Sequence, residues 1–515
     1  MKEKRKTIVI LLLCLIVGFA LRFYSFDRKS LWFDEIYTYQ DSRDGLGGQL
    51  QYYQERPIYL HPPLFYLLSH IFYPFPKPER DLRILPLIFG TLSIPMIFFL
   101  AKQFSRGIAF PCTLALTFMT YHIALSQEGR SYSFILFFGM AALYFLVRHL
   151  LTGKKLLLVP TALCFAVIFH ASYSAIPLMA FSQLLWLYQP EGQQKKPTLG
   201  SFLLLNALIG LFCGPWVIFL FSHYQGQPLK DPFHHEDPGS FWSILYGVFH
   251  DWVPHWPLMA VSALLLIFLP VFLKHKRNAF VLLALFFFPI SGLYLYCTIF
   301  HVTHFISSRY FINFLPPLFI SLLLSIEALE ARFAHLRGIL RFRLIFVVLF
   351  TASNLMILPL YYRSEKQDYR GLTNYLKENL RQGDTIFVEQ VVFFPGILHY
   401  FGVPPESRHY RVSFKELPKG GIEYSKTLLY RDILFKIHCS DKTCCSEYVG
   451  EGGRVWIVVG KYKAKQLKMR SPAVFKGYFD GSFLNFNRFP TDASIYLFLW
   501  DPSSPNGKGI DWPMG

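Results

Sequence analysis

The chain has 515 residues, of which 53% are hydrophobic and only 16% are charged. Soluble proteins carry about a quarter charged residues, so this composition excludes a disordered, collagen-like or coiled-coil chain and argues against one large soluble enzyme. The net charge is +18, but the basic residues fall in short segments between apolar blocks. This pattern is typical of membrane proteins, and no nucleic-acid partner is expected.

Apolar blocks follow one another along the first 361 residues, and most are long enough to cross the hydrocarbon layer of a bilayer. Eleven spans are predicted: 7–21, 84–101, 108–125, 131–147, 156–171, 175–188, 201–221, 257–273, 280–300, 311–326 and 344–361. The block at 175–188 is the weakest. The first block, with its basic start, also resembles a signal peptide, but the motif that follows it favours a retained helix.

Lysine and arginine are distributed unequally between the connecting segments. Those predicted to be cytoplasmic carry 18 of these residues: 2–6, 102–106, 148–155, 189–197, 274–277 and 327–343. Those predicted to be outside carry 3: 126–130, 172–174, 222–256 and 301–310. Because cytoplasmic loops retain positive charge, the N-terminus is expected in the cytoplasm. Eleven spans then place loop 22–83 and the C-terminal segment on the extracytoplasmic side of the cell (inner) membrane.

Two domains are predicted, a membrane domain at 1–361 and an extracytoplasmic soluble α/β domain at 362–515. The second opens with an amphipathic helix pattern at 368–381, followed by a Gly-Asp turn. Strand patterns are found at 385–389, 455–459 and 496–500. The segment also holds Cys439, Cys444 and Cys445, for which one disulfide with one remaining thiol is expected; a metal site is less expected, because there is no CxxC pair.

The first outer loop carries two adjacent carboxylates, Asp34 and Glu35, among large apolar residues. One carboxylate could act as the general base for an acceptor hydroxyl, and the second could bind an acceptor group or a divalent metal, which nothing in the sequence requires. The alternative is an ordinary solvated pair that contacts Arg28 or Lys29. Spacing alone favours that alternative.

Three further positions on the predicted outer side carry polar groups. His61 precedes two prolines that mark a helix start, where an imidazole and free backbone amides could meet an anion or simply cap the helix. Glu128 and Arg130 lie in a short turn, where a local ion pair is the simpler interpretation. Arg309 lies at the outer membrane boundary, and its guanidinium suits a lipid phosphate.

Four motifs stand in an order that resembles one family, and a fifth, later motif also fits it. They are Asp-Glu in the first outer loop, a basic residue before Pro-Pro, Arg-x-x-Pro at 83–86, Gln-Glu-x-Arg-x-Tyr at 127–132, and Arg-Tyr followed by Pro-Pro at 309–317. This order is similar to that of the bacterial polyprenyl-phosphate-sugar-dependent glycosyltransferases of the type-C (GT-C) fold, including protein O-mannosyltransferase-like and aminoarabinose-transferase-like members. The resemblance covers residues 7–361 and only loosely the C-terminal domain.

The resemblance implies a polytopic α-helical membrane enzyme that moves a sugar from a polyprenyl-phosphate donor to an acceptor hydroxyl on the extracytoplasmic face. Asp34, Glu35 and Glu128 are the expected catalytic residues. The expected substrate-binding residues are His61, Arg83, Arg130 and Arg309. His61 departs from the family, because some members carry lysine there and histidine is only partly charged near neutral pH.

Two other function classes remain open from the sequence. A transporter or flippase of lipid-linked glycans would show ionisable groups near the middle of the bilayer or broken helices in corresponding halves, and the spans are almost free of charge. A sensor or assembly subunit would have the C-terminal domain as its active part. The sugar is expected to be a hexose or pentose, and the acceptor an envelope glycan, a lipid or a protein.

Overall fold

The computed structural model describes residues 2–55, 61–189, 197–223, 239–300, 306–333, 341–404, 413–416, 422–439, 453–470, 473–481 and 493–503. Contacts divide the chain into two compact units. Unit 1 consists of Met1–Asp27 and Asp41–Tyr361, and unit 2 consists of Arg28–Gln40 and Tyr362–Gly515. The short segment Arg28–Gln40 thus groups with the C-terminal part of the chain. Of the three cysteines considered for a disulfide, Cys444 and Cys445 lie outside the described residues.

The first two thirds of the chain are helical. In chain order the α-helices are α1 (Lys2–Phe23), α2 (Phe33–Asp41), α3 (Leu46–Glu55), α4 (Leu64–Ser69), α5 (Pro78–Asp81), α6 (Ile84–Phe104), α7 (Arg106–Phe118), α8 (Thr120–Ser126), α9 (Tyr132–Thr152), α10 (Leu158–Ala171), α11 (Ile176–Phe181), α12 (Leu199–His223), α13 (Phe241–Trp252), α14 (Trp256–Ile267), α15 (Leu269–Phe272), α16 (Lys276–Ile299), α17 (Leu315–Arg332) and α18 (Phe342–Arg363). Short 3₁₀ segments lie at His70–Phe72, Lys155–Leu157, Tyr173–Ala175, Ser182–Leu187 and Ser308–Phe314.

The protein is a multi-pass membrane protein. In the described part of the chain, seven helical stretches are long and apolar enough to cross a bilayer, and a bent pair of helices raises this number to eight. Three shorter apolar stretches, Lys155–Ala171, Tyr173–Leu187 and Trp256–Ile267, coincide with the remaining predicted spans. Every predicted span therefore matches an apolar helical stretch, whereas the count of eleven crossings stays a prediction.

The bent pair is α7 and α8, which meet at an angle of 61°. Met119 between them is extended, with φ −67° and ψ 109°, so the helical ladder is interrupted there. Asn354 of α18 compensates for the interruption: its Oδ1 accepts from the Thr120 amide at 2.8 Å, and its carbonyl accepts from the Thr120 hydroxyl at 2.7 Å. A break at membrane depth is tolerated where a neighbouring helix supplies such partners.

The core of unit 1 is built around α6 and α9. Helix α6 packs against α9, α7, α8 and α1, and α9 also packs against α10. Helices α6 and α8 approach closely at Gly90, where an added Cβ atom would lie 2.1 Å from the Ser126 hydroxyl oxygen. A side chain at position 90 would therefore push α6 away from α8, the helix that leads to the turn at 127–131.

Unit 2 contains a mixed sheet of seven strands among its described residues. In chain order its elements are α19 (Tyr369–Asn379), β1 (Thr385–Val388), α20 (Phe394–Phe401), β2 (Ser413–Glu416), β3 (Ile422–Tyr430), β4 (Ile433–Cys439), β5 (Val455–Gly460), α21 (Lys461–Arg470), β6 (Val474–Phe479) and β7 (Ile495–Trp500). The strand order is β2-β3-β4-β1-β5-β7-β6. Strand β1 is parallel to β4 and β5, and the other pairs are antiparallel.

The local sequence accounts for the elements that the helix–turn–strand pattern predicted. Asp368 begins α19 by accepting from the Gly371 amide at 2.8 Å. All six residues of β5 are buried, which fits its unbroken apolar sequence and its place inside the sheet. The α/β character of this segment is confirmed.

Candidate active site

Asp34 and Glu35 lie in the first turn of α2 but have different environments. The Glu35 side chain is 0% exposed, and its carboxylate accepts from the Trp32 amide at 3.3 Å. The Trp32 carbonyl accepts from the Ile36 amide, so Trp32 is the N-cap residue of the helix and Glu35 reaches back to it as in a capping box. Asp34 is half-buried. Of the two carboxylates, Asp34 is therefore the more accessible to a substrate.

The segment that carries these carboxylates is held by side chains from the C-terminal part of unit 2. The Leu31 amide donates to the Tyr400 hydroxyl at 2.7 Å, and the Phe33 amide donates to Gln367 Oε1 at 2.8 Å. The Lys366 ammonium lies 5.7 Å from the centre of a Trp32 ring. Backbone bonds on both sides of the N-cap residue fix the start of α2 and so the position of Asp34.

Tyr369 of α19 lies within electrostatic reach of Asp34. Burial raises the pKa of Tyr369 well above its ordinary value, and Tyr37, Tyr400 and the Asp34 carboxylate raise it further. The Tyr369 hydroxyl donates to the Val392 carbonyl at 2.9 Å. Tyr369 is therefore a neutral hydrogen-bond donor beside a carboxylate and not a second anion.

In unit 1, Arg83 is a buried residue that holds the backbone. It is the N-cap residue of α6 and is 2% exposed, and its Nη1 atom donates to the Phe26 carbonyl at 2.9 Å. This bond ties the chain that leaves α1 to the start of α6. The geometry therefore favours a positioning role for Arg83, at the base of the first loop.

The turn at 127–131 contains a buried residue whose importance the sequence did not reveal. Gln127 Nε2 donates to the carbonyls of Arg22 and Tyr24 at 2.7 and 2.8 Å, and its Oε1 accepts from the Tyr361 hydroxyl at 2.8 Å. One amide side chain thus connects the ends of α1 and α18 to the turn. The adjacent Glu128 is buried, Arg130 is half-buried, and the Arg130 amide donates to the Glu128 carbonyl.

Arg309 and Glu128 are brought into one neighbourhood. Arg309 is 8% exposed, and its guanidinium carbon lies 5.8 Å from the Tyr132 ring centre and 5.7 Å from that of Tyr310. Tyr121 of α8 is within electrostatic reach of both Arg309 and Glu128. A buried guanidinium between aromatic faces is held in one orientation, which suits recognition of a phosphate.

His61 lies shortly before α4 in unit 1. Its side chain is exposed, and its carbonyl accepts from the Tyr53 hydroxyl at 2.7 Å. Burial raises the pKa of Tyr53, so this phenol is a stable donor. Tyr53 also contacts the ring of Trp216 edge-on, with 5.9 Å between ring centres. The backbone of His61 is thus fixed by an aromatic neighbour while its imidazole faces outward.

A second set of polar side chains is buried near Arg309 and was not singled out as a unit from the sequence. The Ser308 hydroxyl donates to Asp251 Oδ2, and the Tyr121 hydroxyl lies 2.7 Å from the Ser308 Oγ atom.

The donor set at Asp34 and Glu35 is small for a metal ion. Within the described ranges, no group of three or more histidine, cysteine, aspartate or glutamate residues is placed to hold a metal. Hard divalent cations take six or more oxygen ligands. A cation at Asp34 would therefore depend on substrate oxygens and water to complete its ligand shell.

The structure is similar over its whole length to ArnT from Cupriavidus metallidurans in the apo state, with 12% identity, coverage of 99% of this chain and 100% of that chain, and a TM-score of 0.51. This likeness shows the fold and confirms the type-C architecture that the motifs predicted.

Two further solved structures are similar with lower scores. ArnT from the same organism bound to undecaprenyl phosphate gives 11% identity, coverage of 96% and 99%, and a TM-score of 0.48. The oligosaccharyltransferase AglB from Archaeoglobus fulgidus, in complex with an inhibitory peptide and a dolichol-phosphate, gives 11% identity, coverage of 77% and 63%, and a TM-score of 0.44. No family model and no curated protein sequence matches the chain.

Proposed function

We propose that the protein is a membrane glycosyltransferase that moves a hexosyl or pentosyl unit from a polyprenyl-phosphate donor to an acceptor hydroxyl. The observation that carries the proposal is the buried, aromatic-flanked guanidinium of Arg309 in a fold shared over its full length with ArnT. The reaction takes place on the extracytoplasmic face of the cell (inner) membrane, with the N-terminus in the cytoplasm. This placement rests on the distribution of lysine and arginine in the loops.

Arg309 binds the phosphate of the donor. As the bond between the sugar carbon C1 and the phosphate oxygen breaks, negative charge grows on the departing polyprenyl phosphate. A fixed guanidinium stabilises that charge without reorganising, because the rings of Tyr132 and Tyr310 already hold it in place. Arg130, half-buried in the turn at 127–131, and the outward imidazole of His61 supply further positive charge for the donor.

Asp34 acts as the general base. Its carboxylate takes the proton of the acceptor hydroxyl, the acceptor oxygen forms the new bond to C1, and the polyprenyl phosphate leaves with the electron pair of the old bond. Glu35 stabilises the start of α2 by accepting from the Trp32 amide, so its contribution is to hold Asp34 in position. Glu128, buried beside the Arg309 neighbourhood, is assigned to the same donor end of the reaction.

Transfer by the purified protein in detergent tests the proposal directly. The donors are a panel of undecaprenyl-phosphate pentoses and hexoses, and the acceptor is an envelope extract of a strain that lacks the gene. We expect a glycosylated product, detected by mass spectrometry, that is absent with Asp34→Asn. A flippase would give no product in detergent, because there is no second leaflet for it to serve. Absence of product with every donor would reject the proposal in favour of that alternative.

The acceptor class follows from a comparison of envelope glycans in cells with and without the gene. We expect loss of one pentosyl or hexosyl substituent from an envelope glycan, lipid or protein, restored by the wild-type gene. A glycan profile that does not change would contradict the proposed reaction.

A further inference from the structure

Three side chains from three separate elements form a hydrogen-bonded row in unit 1. They are Tyr121 of α8, Asp251 at the end of α13, and Ser308 at the start of the 3₁₀ segment Ser308–Phe314. The Ser308 hydroxyl donates to Asp251 Oδ2, and the Tyr121 hydroxyl is 2.7 Å from the Ser308 Oγ atom. Ser308 and Asp251 are almost fully buried.

The carboxyl group of Asp251 is costly to bury. Its Oδ1 atom has no hydrogen-bond partner among the described residues, and the side chain is 2% exposed. Burial raises the pKa of Asp251 well above its ordinary value, which favours the neutral carboxylic acid. An apolar residue would fill this place at lower cost. A buried acid that accepts from the Ser308 hydroxyl beside Arg309 is therefore more consistent with a specific task than with packing alone.

The row ends beside the residue assigned to the donor phosphate. Ser308 directly precedes Arg309, so the bond from Ser308 to Asp251 fixes the backbone from which the guanidinium projects. Tyr121 is in electrostatic reach of Asp251, Arg309 and Glu128. The same 3₁₀ segment carries Tyr310, one of the two rings that flank the guanidinium.

We propose that Asp251 is a positioning residue for Arg309, acting through Ser308 and Tyr121, and that it thereby sets the affinity of the protein for a polyprenyl phosphate. This inference rests on the donor role proposed for Arg309. The hydrogen bonds hold the first turn of the 3₁₀ segment, so the guanidinium is in its binding orientation before the phosphate arrives. Binding then loses less conformational entropy than it would with a mobile arginine.

The test is a titration of the full-length protein in detergent with undecaprenyl phosphate, with the dissociation constant read by native mass spectrometry. Asp251→Ala and Ser308→Ala are each expected to raise the dissociation constant about tenfold. The double variant is expected to bind like the single variants, because both substitutions break the same connection. Asp251→Asn keeps an acceptor oxygen for Ser308 and should bind like the wild type.

A matched control separates positioning from general loss of packing. Ser325 is also buried in unit 1, and its hydroxyl donates to the Leu265 carbonyl at 3.0 Å. Ser325→Ala should leave the dissociation constant unchanged, whatever it does to thermal stability. If Asp251→Ala does not fold, Ser308→Ala and Asp251→Asn give the same contrast.

The outcomes distinguish this inference from the proposed function. If Arg309→Ala weakens binding while Asp251→Ala and Ser308→Ala do not, the positioning role is rejected and the donor role of Arg309 stands. If Arg309→Ala binds undecaprenyl phosphate as tightly as the wild type, the donor role itself is rejected, and the inference with it.

Discussion

At the scale of single residues, two neighbouring carboxylates have separate tasks because they differ in burial and in their contact with the backbone. Glu35 is at the third position of α2, where a carboxylate reaches back to the amide of the N-cap residue. Asp34 is one residue earlier and half-buried, so its carboxylate is not the one that caps the helix through Trp32. The sequence presents the two as an equivalent pair, whereas the fold separates them.

Replacing Asp34 tests the base directly. Asp34→Asn keeps the size of the side chain and removes its basic lone pair, so transfer should fall by roughly a hundredfold or more while the protein still inserts and folds. The measurement is the transfer rate of purified protein, at matched expression. Near-normal turnover would move the base to Glu35 or Glu128.

Glu35→Gln is the matched companion, since it makes the same chemical change one residue further on. The amide oxygen of glutamine can still accept from the Trp32 amide, so transfer should stay close to the wild-type rate. Glu35→Ala removes the cap and should cost about 1 kcal/mol in free energy of unfolding, measured in detergent by thermal or denaturant unfolding. Equal loss of transfer in Glu35→Gln and Asp34→Asn would show that the two carboxylates act together.

Arg309→Ala addresses the donor. If the guanidinium binds the phosphate equally in the ground state and the transition state, the apparent KM for the donor should rise more than kcat falls. Initial rates over a range of donor concentrations give both constants. A fall in kcat with an unchanged KM would contradict the donor-binding role and leave Arg309 only the charge that develops on the leaving phosphate.

Several residues of the candidate site could be found from the sequence and others could not. Asp34, Arg130 and Arg309 lie in short motifs beside predicted spans, so their patterns are local. Gln127 and Asp251 are important because of hydrogen-bond partners that are distant in the sequence. Gln127 bonds to Arg22, 105 residues away, and Asp251 bonds to Ser308, 57 residues away. No local pattern encodes such pairings.

At the scale of elements, hydropathy located the apolar helical stretches but not their interruptions. Hydropathy depends only on composition. Met119, where α7 ends and α8 begins, is apolar, so hydropathy does not mark the break there. Likewise, the segment 175–188 is apolar, yet it folds as the short helix α11 between 3₁₀ turns. Helix α13 lies in a segment predicted only as an outer loop, and this helix delivers Asp251.

The break between α7 and α8 should depend on Asn354. In Asn354→Leu the Thr120 amide loses its acceptor in a buried site, so the free energy of unfolding should fall by about 1–3 kcal/mol. Thermal unfolding in detergent is the measurement. Asn206→Leu is the control, because Asn206 is exposed on α12 and its Nδ2 atom donates to the Phe202 carbonyl within the same helix. Equal stability of the two variants would contradict the role given to Asn354.

At the scale of the whole molecule, the predicted orientation can be tested without any substrate. A reporter that is active only outside the cytoplasm, fused after Tyr361, should give a strong signal. Cysteines introduced singly into loop 22–83 should react with a membrane-impermeant reagent. The cells for this test have a permeabilised outer envelope and an intact cell membrane. A cytoplasmic signal from the fusion would contradict the placement of Asp34 on the outer face.

The grouping of Arg28–Gln40 with the C-terminal part of the chain has a consequence for biosynthesis. Its partners Glu365 and Tyr400 follow Ser30 and Leu31 by 335 and 369 residues. At a translation rate of about 5–20 residues per second, the segment is made roughly 20 to 70 seconds before those partners. During that time Leu31 and Trp32, both buried in the finished protein, lack the surface that covers them. If translation stops before unit 2 is complete, this apolar segment stays exposed. Chaperones and proteases could then recognise the chain as incomplete.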